Sequence, residues 1–232
     1  MTKRYWWVII TYIIMQLSPL VLDVFGIRDA QIAVNFTIAS FIIALIITLI
    51  LMKPAMQSPW RNRDSQAGSI IAWSILGVFL AYFAQTISVA IETYLFGVPA
   101  GSENTQGIMN IARAFPLFII IPALIAPILE EIIFRKIIFG TLYKRINFFF
   151  AAVISAVIFG IIHGEPAHLL IYASMGFVFS FLYVKTKSIL TPIIVHMSMN
   201  SISVLVQFNL DPEDIERMMR DLENMKTIFI GG

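Results

Sequence analysis

Of 232 residues, 59% are hydrophobic and 13% charged, where soluble domains carry roughly a quarter charged, and the mean hydropathy is +0.85; this is the composition of an integral membrane protein. With no cysteine, a disulfide framework, a thiolate metal site and a cysteine nucleophile are excluded. Sixteen Lys plus Arg against fourteen Asp plus Glu leave a net charge of +2, too small and scattered for a nucleic-acid footprint, so the basic residues are read as topology signals.

A helix needs roughly 20 apolar residues to cross a hydrocarbon core about 30 Å thick. Tyr5 to Leu22, Ala30 to Met52 and Ala67 to Ile91 contain no Asp, Glu, Lys or Arg and are the first three expected spans. The first follows Lys3 and Arg4 but is long for a signal peptide and is read as retained. Ala114 to Leu129, Ile146 to Ile162, Leu169 to Val184 and Ser188 to Leu210 complete an expected seven-helix, all-α membrane bundle, with six to eight spans allowed. A re-entrant or interfacial helix between Asn110 and Pro122 would change the count. Lys3 and Arg4, then Lys53, Arg61 and Arg63, then Lys144 and Arg145, then Lys185 and Lys187 fall on alternate connections. The positive-inside rule therefore predicts a multi-pass protein of the cell membrane with a cytoplasmic N-terminus.

No repeat or long linker divides the chain, so residues 1–232 are read as one membrane domain, its catalytic core at about 114–208. After Asp211-Pro212, apolar residues at helical spacing from Ile215 to Met225 predict a C-terminal amphipathic helix over 211–226. Its acidic excess argues against a polybasic lipid anchor.

Ionisable residues within apolar segments cost several kcal/mol each on insertion scales and usually serve function. Here they form a set on three expected helices: Glu130, Glu131 and Arg135; His163, four residues after Phe159; and His196 with Asn200. Glu131 and Arg135 are four apart and can pair on one face. Glu130 points about 100° away, which leaves one carboxylate neutralised and the other free. His196 and Asn200 also share a face. Glu130 and His163 lie sixteen and seventeen residues either side of the turn near Ile146, so an antiparallel hairpin sets them level and able to form one site. His196 is only about ten residues from the basic turn at Lys185 to Lys187, which leaves it off-level by an amount on the order of 10 Å. Tilt, an extension of the first hairpin or a break near Pro122 and Pro127 would absorb it. Phe159 is read as a packing wall, and His168, at the end of a loop, as outside the chemistry.

Glu-Glu-x-x-x-Arg at 130–135, Phe-x-x-x-His at 159–163 and His-x-x-x-Asn at 196–200, in that order, resemble the motifs of the CAAX protease and bacteriocin-processing family, the type II CAAX prenyl endopeptidases. The resemblance covers Phe115 to Phe208. It implies an all-helical intramembrane endopeptidase with a buried polar site open to the cytoplasm, acting on a hydrophobic or prenylated peptide or protein in the lipid bilayer, near the substrate's C-terminus or membrane-proximal part. Eukaryotic relatives trim the last three residues of prenylated proteins; bacterial ones are linked to peptide processing, immunity and signalling.

Peptide hydrolysis needs an activated water, a stabilised oxyanion and a proton for the leaving amine. In the preferred, cofactor-free reading Glu130 is the general base assisted by His163, His196 and Asn200 stabilise the oxyanion, and Glu131, Arg135 and Phe159 support the site. In the alternative, His163, His196 and Glu130 bind zinc, which polarises the carbonyl and activates its water. The absence of His-Glu-x-x-His and Gly-x-Gly-Asp disfavours other intramembrane protease chemistries. A transporter is disfavoured by the lack of repeat symmetry; a non-catalytic membrane binder, as an immunity or signalling scaffold, remains the competing class.

Overall fold

A computed structural model describes residues 2–56, 66–99 and 101–209 together with Asp214, Arg217 and Arg220. The described residues are helical, without a strand, and run in the order α1 (Lys3–Leu17), α2 (Pro19–Val24), α3 (Ala30–Met56), α4 (Gln66–Phe96) and α5 (Glu103–Ala114). A composite helix follows, Pro116–Leu142, which contains α6 (Ala126–Glu131) and α7 (Gly140–Leu142); then come α8 (Phe148–Ile162), α9 (Leu169–Thr186) and α10 (Leu190–Asn209). Five helices among the described residues are long and apolar enough to cross a membrane, and α8 is a shorter apolar sixth. The protein is a helical membrane bundle. Side chains such as Ile43, Ile50, Phe79, Phe83 and Leu205 are exposed on these helices, as lipid-facing positions require.

Several expected boundaries shift for local reasons. The first expected span, Tyr5 to Leu22, is divided. Pro19 has no N–H for the carbonyl of Met15, four residues back; Ser18 fills that acceptor with its hydroxyl at 2.7 Å and its amide at 3.2 Å, and α2 starts afresh. The fourth does not stop at Leu129 but continues to Leu142, which puts Glu130, Glu131 and Arg135 inside it. Ala114 closes α5, a short helix capped by Ser102, whose side chain accepts from the Thr105 amide. An amphipathic helix thus runs into the start of the Asn110 to Pro122 stretch, where a re-entrant or interfacial helix would change the span count. The expected helix over 211–226 lies outside the described residues save for Asp214, Arg217 and Arg220, which are helical and exposed.

The composite helix is the axis of the molecule and the most buried of the long helices. It is also irregular: Pro116–Ile119 is a 3-10 turn, and Ile121–Ile125 and Ile132–Phe139 are π-helical. The widened turns bracket α6, and such turns occur disproportionately at functional sites. Around the axis, α8 and α9 approach closely because small residues face each other. Ala152, Ala156 and Gly160 recur every four residues on α8 and are buried, opposite Gly176 and Ser180 of α9. Without a hydrophobic drive between helices in lipid, such stripes supply packing by close backbone approach. From the N-terminal side, α1 reaches this centre through Tyr12, 5% exposed, whose ring meets Phe134 edge-on at 6.5 Å.

A Cβ at Gly176 would stand 3.1 Å from Ala156 backbone and 3.2 Å from the Arg135 guanidinium, whereas one at Gly107 meets nothing within 4 Å. Gly176→Ala is therefore expected to destabilise the detergent-solubilised protein by roughly 1–3 kcal/mol, and Gly107→Ala to leave its melting temperature unchanged or slightly raised.

Candidate active site

Glu131 and Arg135 face the same way on the composite helix, and both are fully buried. Arg135 Nε lies 3.2 Å from Glu131 Oε2, an ion pair by distance although the N–H is not aligned as a hydrogen bond. The guanidinium carbon stands 4.4 Å from the centre of the Phe159 ring, 5.1 Å from that of Phe179 and 5.8 Å from that of Phe134. Aromatic faces can hold a weakly hydrated guanidinium where a hydration shell has no room. This cage accounts for a cation whose Nη atoms find no acceptor among the described residues.

The other oxygen of Glu131 takes a second partner. His196 Nδ1 lies 2.8 Å from Glu131 Oε1, and a carboxylate acceptor requires that nitrogen to carry the proton. A neutral imidazole so held presents Nε2 as a lone pair. That atom is 3.7 Å from Glu130 Oε2, too long for a direct hydrogen bond but suited to a bridging water. Phe179 stacks on the His196 ring at 5.0 Å and Phe159 meets it edge-on at 6.0 Å. One wall of two aromatic rings thus supports both Arg135 and His196. Glu130, its side chain 14% exposed, is the carboxylate left without a guanidinium.

His163 is held differently. It follows the last residue of α8, where its own amide turns to Gly160 and the carbonyl of Phe159 would be orphaned. His163 Nδ1 donates to that carbonyl at 2.8 Å, and its ring lies between Phe159 at 4.4 Å and the stacked ring of Tyr172 at 4.2 Å. The contact expected between Glu130 and His163 across the hairpin is therefore not made; the imidazole that meets Glu130 is His196. The suspected depth mismatch of His196 is resolved by the irregular helix: π turns alter the advance per residue, and α10 docks along α6 and the first π segment.

Asn200, one turn beyond His196, donates from Nδ2 to the carbonyl of Pro122 at 2.9 Å. In the π register that carbonyl would look five residues on, to Pro127, which has no N–H. Asn200 satisfies an acceptor that two prolines leave exposed, and one of its two N–H groups remains. The zinc alternative required His163, His196 and Glu130 to converge. Among the described residues no group of three His, Cys, Asp or Glu side chains is gathered for a metal ion, and the His163 ring is turned to Phe159 and Tyr172.

Two carboxylates escaped the sequence reading as members of a network. Glu92, almost fully buried, accepts from the amides of Leu170 and Ile171 at 2.9 and 3.2 Å and pairs with His168 Nδ1 at 3.0 Å, capping α9. Its one signal was a lone acid closing a long uncharged segment. His168 lies in this cap, apart from Glu130 and His196. Glu165, between α8 and α9, accepts from Ser102 Oγ at 2.7 Å, the Asn104 amide at 2.9 Å and Tyr172 OH at 2.6 Å. Burial pushes its carboxyl up, but these donors and the nearby His168 outweigh it and hold it below the usual carboxylate range.

Residues 112–202, which contain Glu130, Glu131, Arg135, Phe159, His163, His196 and Asn200, match the family described as Type II CAAX prenyl endopeptidase Rce1-like. Over its whole length the chain is 42% identical to the candidate membrane peptidase YdiL of Bacillus subtilis (strain 168), covering 99% of that protein. It is 32% identical to the membrane-embedded CAAX protease MroQ of Staphylococcus aureus (strain USA300), over 96% of each chain. The chain belongs to the Rce1-like CAAX protease family. No solved structure matches it. Within the CAAX protease family match lie the composite helix, α8, α9 and most of α10, so the ion pair, His163, His196 and the aromatic wall all fall inside it, while α1 to α4 fall outside.

Removing one member of the buried pair strands the other. Arg135→Met is expected to cost about 3–5 kcal/mol of stability, and adding Glu131→Gln to recover a large part of that, measured by denaturation of the purified protein in one detergent.

Proposed function

We propose that this member of the CAAX protease family is an intramembrane endopeptidase that uses Glu130 and His196 to hold and deprotonate a water, with no resident metal. The observation that carries the reading is the Glu131–His196–Glu130 alignment, 2.8 Å on one side of the imidazole and 3.7 Å on the other. A water placed between His196 Nε2 and Glu130 donates one hydrogen to each and turns a lone pair outward to a substrate carbonyl. Glu130 takes one proton as the C–O bond forms and returns it to the amine as the C–N bond breaks; the second water proton stays on the new carboxyl group and passes to the released amine, leaving a carboxylate and an ammonium. The free N–H of Asn200 is assigned to the oxyanion, with His163 donating from Nε2 when that nitrogen carries a proton. This exchanges the roles first expected for the two histidines. Glu131 and Arg135 hold the imidazole and take no proton.

The membrane setting and the names of the relatives support a hydrophobic peptide or protein substrate, prenylated or not, cut near its C-terminus or where it meets the bilayer. Basic residues on alternate connections support a cytoplasmic N-terminus. The competing non-catalytic binder would have no use for a partly exposed carboxylate aimed at a tautomerically fixed imidazole.

Purified protein is offered quenched fluorescent hydrophobic peptides with and without a C-terminal farnesyl group. Glu130→Gln is expected to lose about 10²–10⁴-fold in cleavage, the size of a general-base contribution, and the wild type to keep its activity after exhaustive chelation. Undiminished cleavage by Glu130→Gln would overturn the reading, and loss on chelation reversed by zinc would restore the metal alternative.

A further inference from the structure

His163 owes its placement to more than its own helix. Its ring is stacked on Tyr172, 26° from parallel at 4.2 Å, and Tyr172 lies on α9, a different helix. A stacked ring has freedom to slide and rotate unless its far end is fixed. Here the far end is fixed, because the Tyr172 hydroxyl donates to Glu165 Oε2 at 2.6 Å, within the short range of charge-assisted bonds.

Glu165 is itself anchored on a third element. Its Oε1 accepts the Asn104 amide at 2.9 Å, and its Oε2 also accepts Ser102 Oγ at 2.7 Å. Ser102 caps α5 in turn, so one carboxylate completes the N-terminus of that helix and grips the phenol behind the imidazole. The other end of α5 is tied by Arg113 Nη2 to the carbonyl of Gln207 at 2.7 Å, on the helix that carries His196 and Asn200. A frame of α5, the Glu165 loop and α9 therefore surrounds His163 without touching Glu130, Glu131 or Arg135 by any hydrogen bond or ion pair among the described residues.

We propose that Glu165 and Tyr172 are positioning residues for His163: the carboxylate, clamped on the start of α5, holds the Tyr172 hydroxyl, and the Tyr172 ring fixes the imidazole plane. This rests on the preceding reading insofar as His163 serves the chemistry, but the placement itself can be read without turnover. Neither residue belongs to the three motifs, and Ser102, on which the clamp ends, lies outside the matched residues 112–202.

The test uses full-length protein in detergent with ¹³C-labelled histidine, the three histidines being assigned by single substitution. The His163 ring protons are expected upfield in the wild type, under the ring current of Tyr172. Tyr172→Phe and Glu165→Ala should move them towards free-imidazole values and broaden them, whereas Glu165→Gln, which keeps a carbonyl acceptor for the phenol, should restore most of the wild-type shift. With the farnesylated peptide, kcat should fall about tenfold to a hundredfold in the first two variants, as expected for a misplaced catalytic group, with KM within about twofold. His163 resonances unchanged in both variants would overturn the proposal whatever the activity does. Resonances that move while kcat stays would uphold the positioning and instead remove His163 from the chemistry. If Glu165→Ala fails to fold, Tyr172→Phe carries the same readings, since it deletes one hydroxyl and keeps the ring.

Discussion

A carboxylate and a guanidinium buried together inside a membrane bundle constrain everything near them. Neither can reach water, and each would cost far more alone than paired. Glu131 and Arg135 answer this with one short contact, and the residual demand of each is met by another helix: α10 brings His196 to the spare oxygen of Glu131, while α8 and α9 bring Phe159 and Phe179 to the faces of the guanidinium. The close approach of α8 and α9 follows from the same need. Gly176 leaves just enough space for the Arg135 nitrogen and the Ala156 backbone, so the small-residue stripe serves the ion pair as well as helix packing.

In the proposed mechanism His196 is held by Glu131, a residue that takes no part in the proton transfers. Held at Nδ1, its ring can offer only Nε2 to Glu130, and the aromatic wall leaves it no alternative plane. The two adjacent glutamates thus divide the labour by direction alone. Glu131 points into the bundle and binds two partners; Glu130, one residue earlier on the helix, is turned elsewhere and in the proposed mechanism keeps its oxygens for a water and a substrate. The surrounding backbone is bent to the same end. Two π segments and a proline pair open the composite helix around α6, and Asn200 donates to the carbonyl of Pro122 there.

Much of this was legible in the chain. Composition and uncharged stretches identified a helical membrane bundle, and the four-residue spacings placed Glu131 with Arg135, Phe159 with His163 and His196 with Asn200. What was not legible depends on register and tertiary contact. Treating the helix through Glu130 as regular made His163 its natural neighbour; π turns and the orphaned Phe159 carbonyl redirected both groups. Pro19 split a span that hydropathy alone runs together. Glu92, Glu165, Tyr172 and Phe179 carry no spacing signal, because their partners lie on other elements rather than one helical turn away, and an acid at a helix end looks the same whether it faces solvent or caps a neighbour.

If Glu131 sets the tautomer of His196, the ¹⁵N resonances of His196 in the labelled, detergent-solubilised protein will show a protonated Nδ1 and an unprotonated Nε2 near neutral pH, with the preference lost in Glu131→Ala. A wild-type His196 protonated at Nε2 alone, or a tautomer unmoved by removal of Glu131, would contradict it.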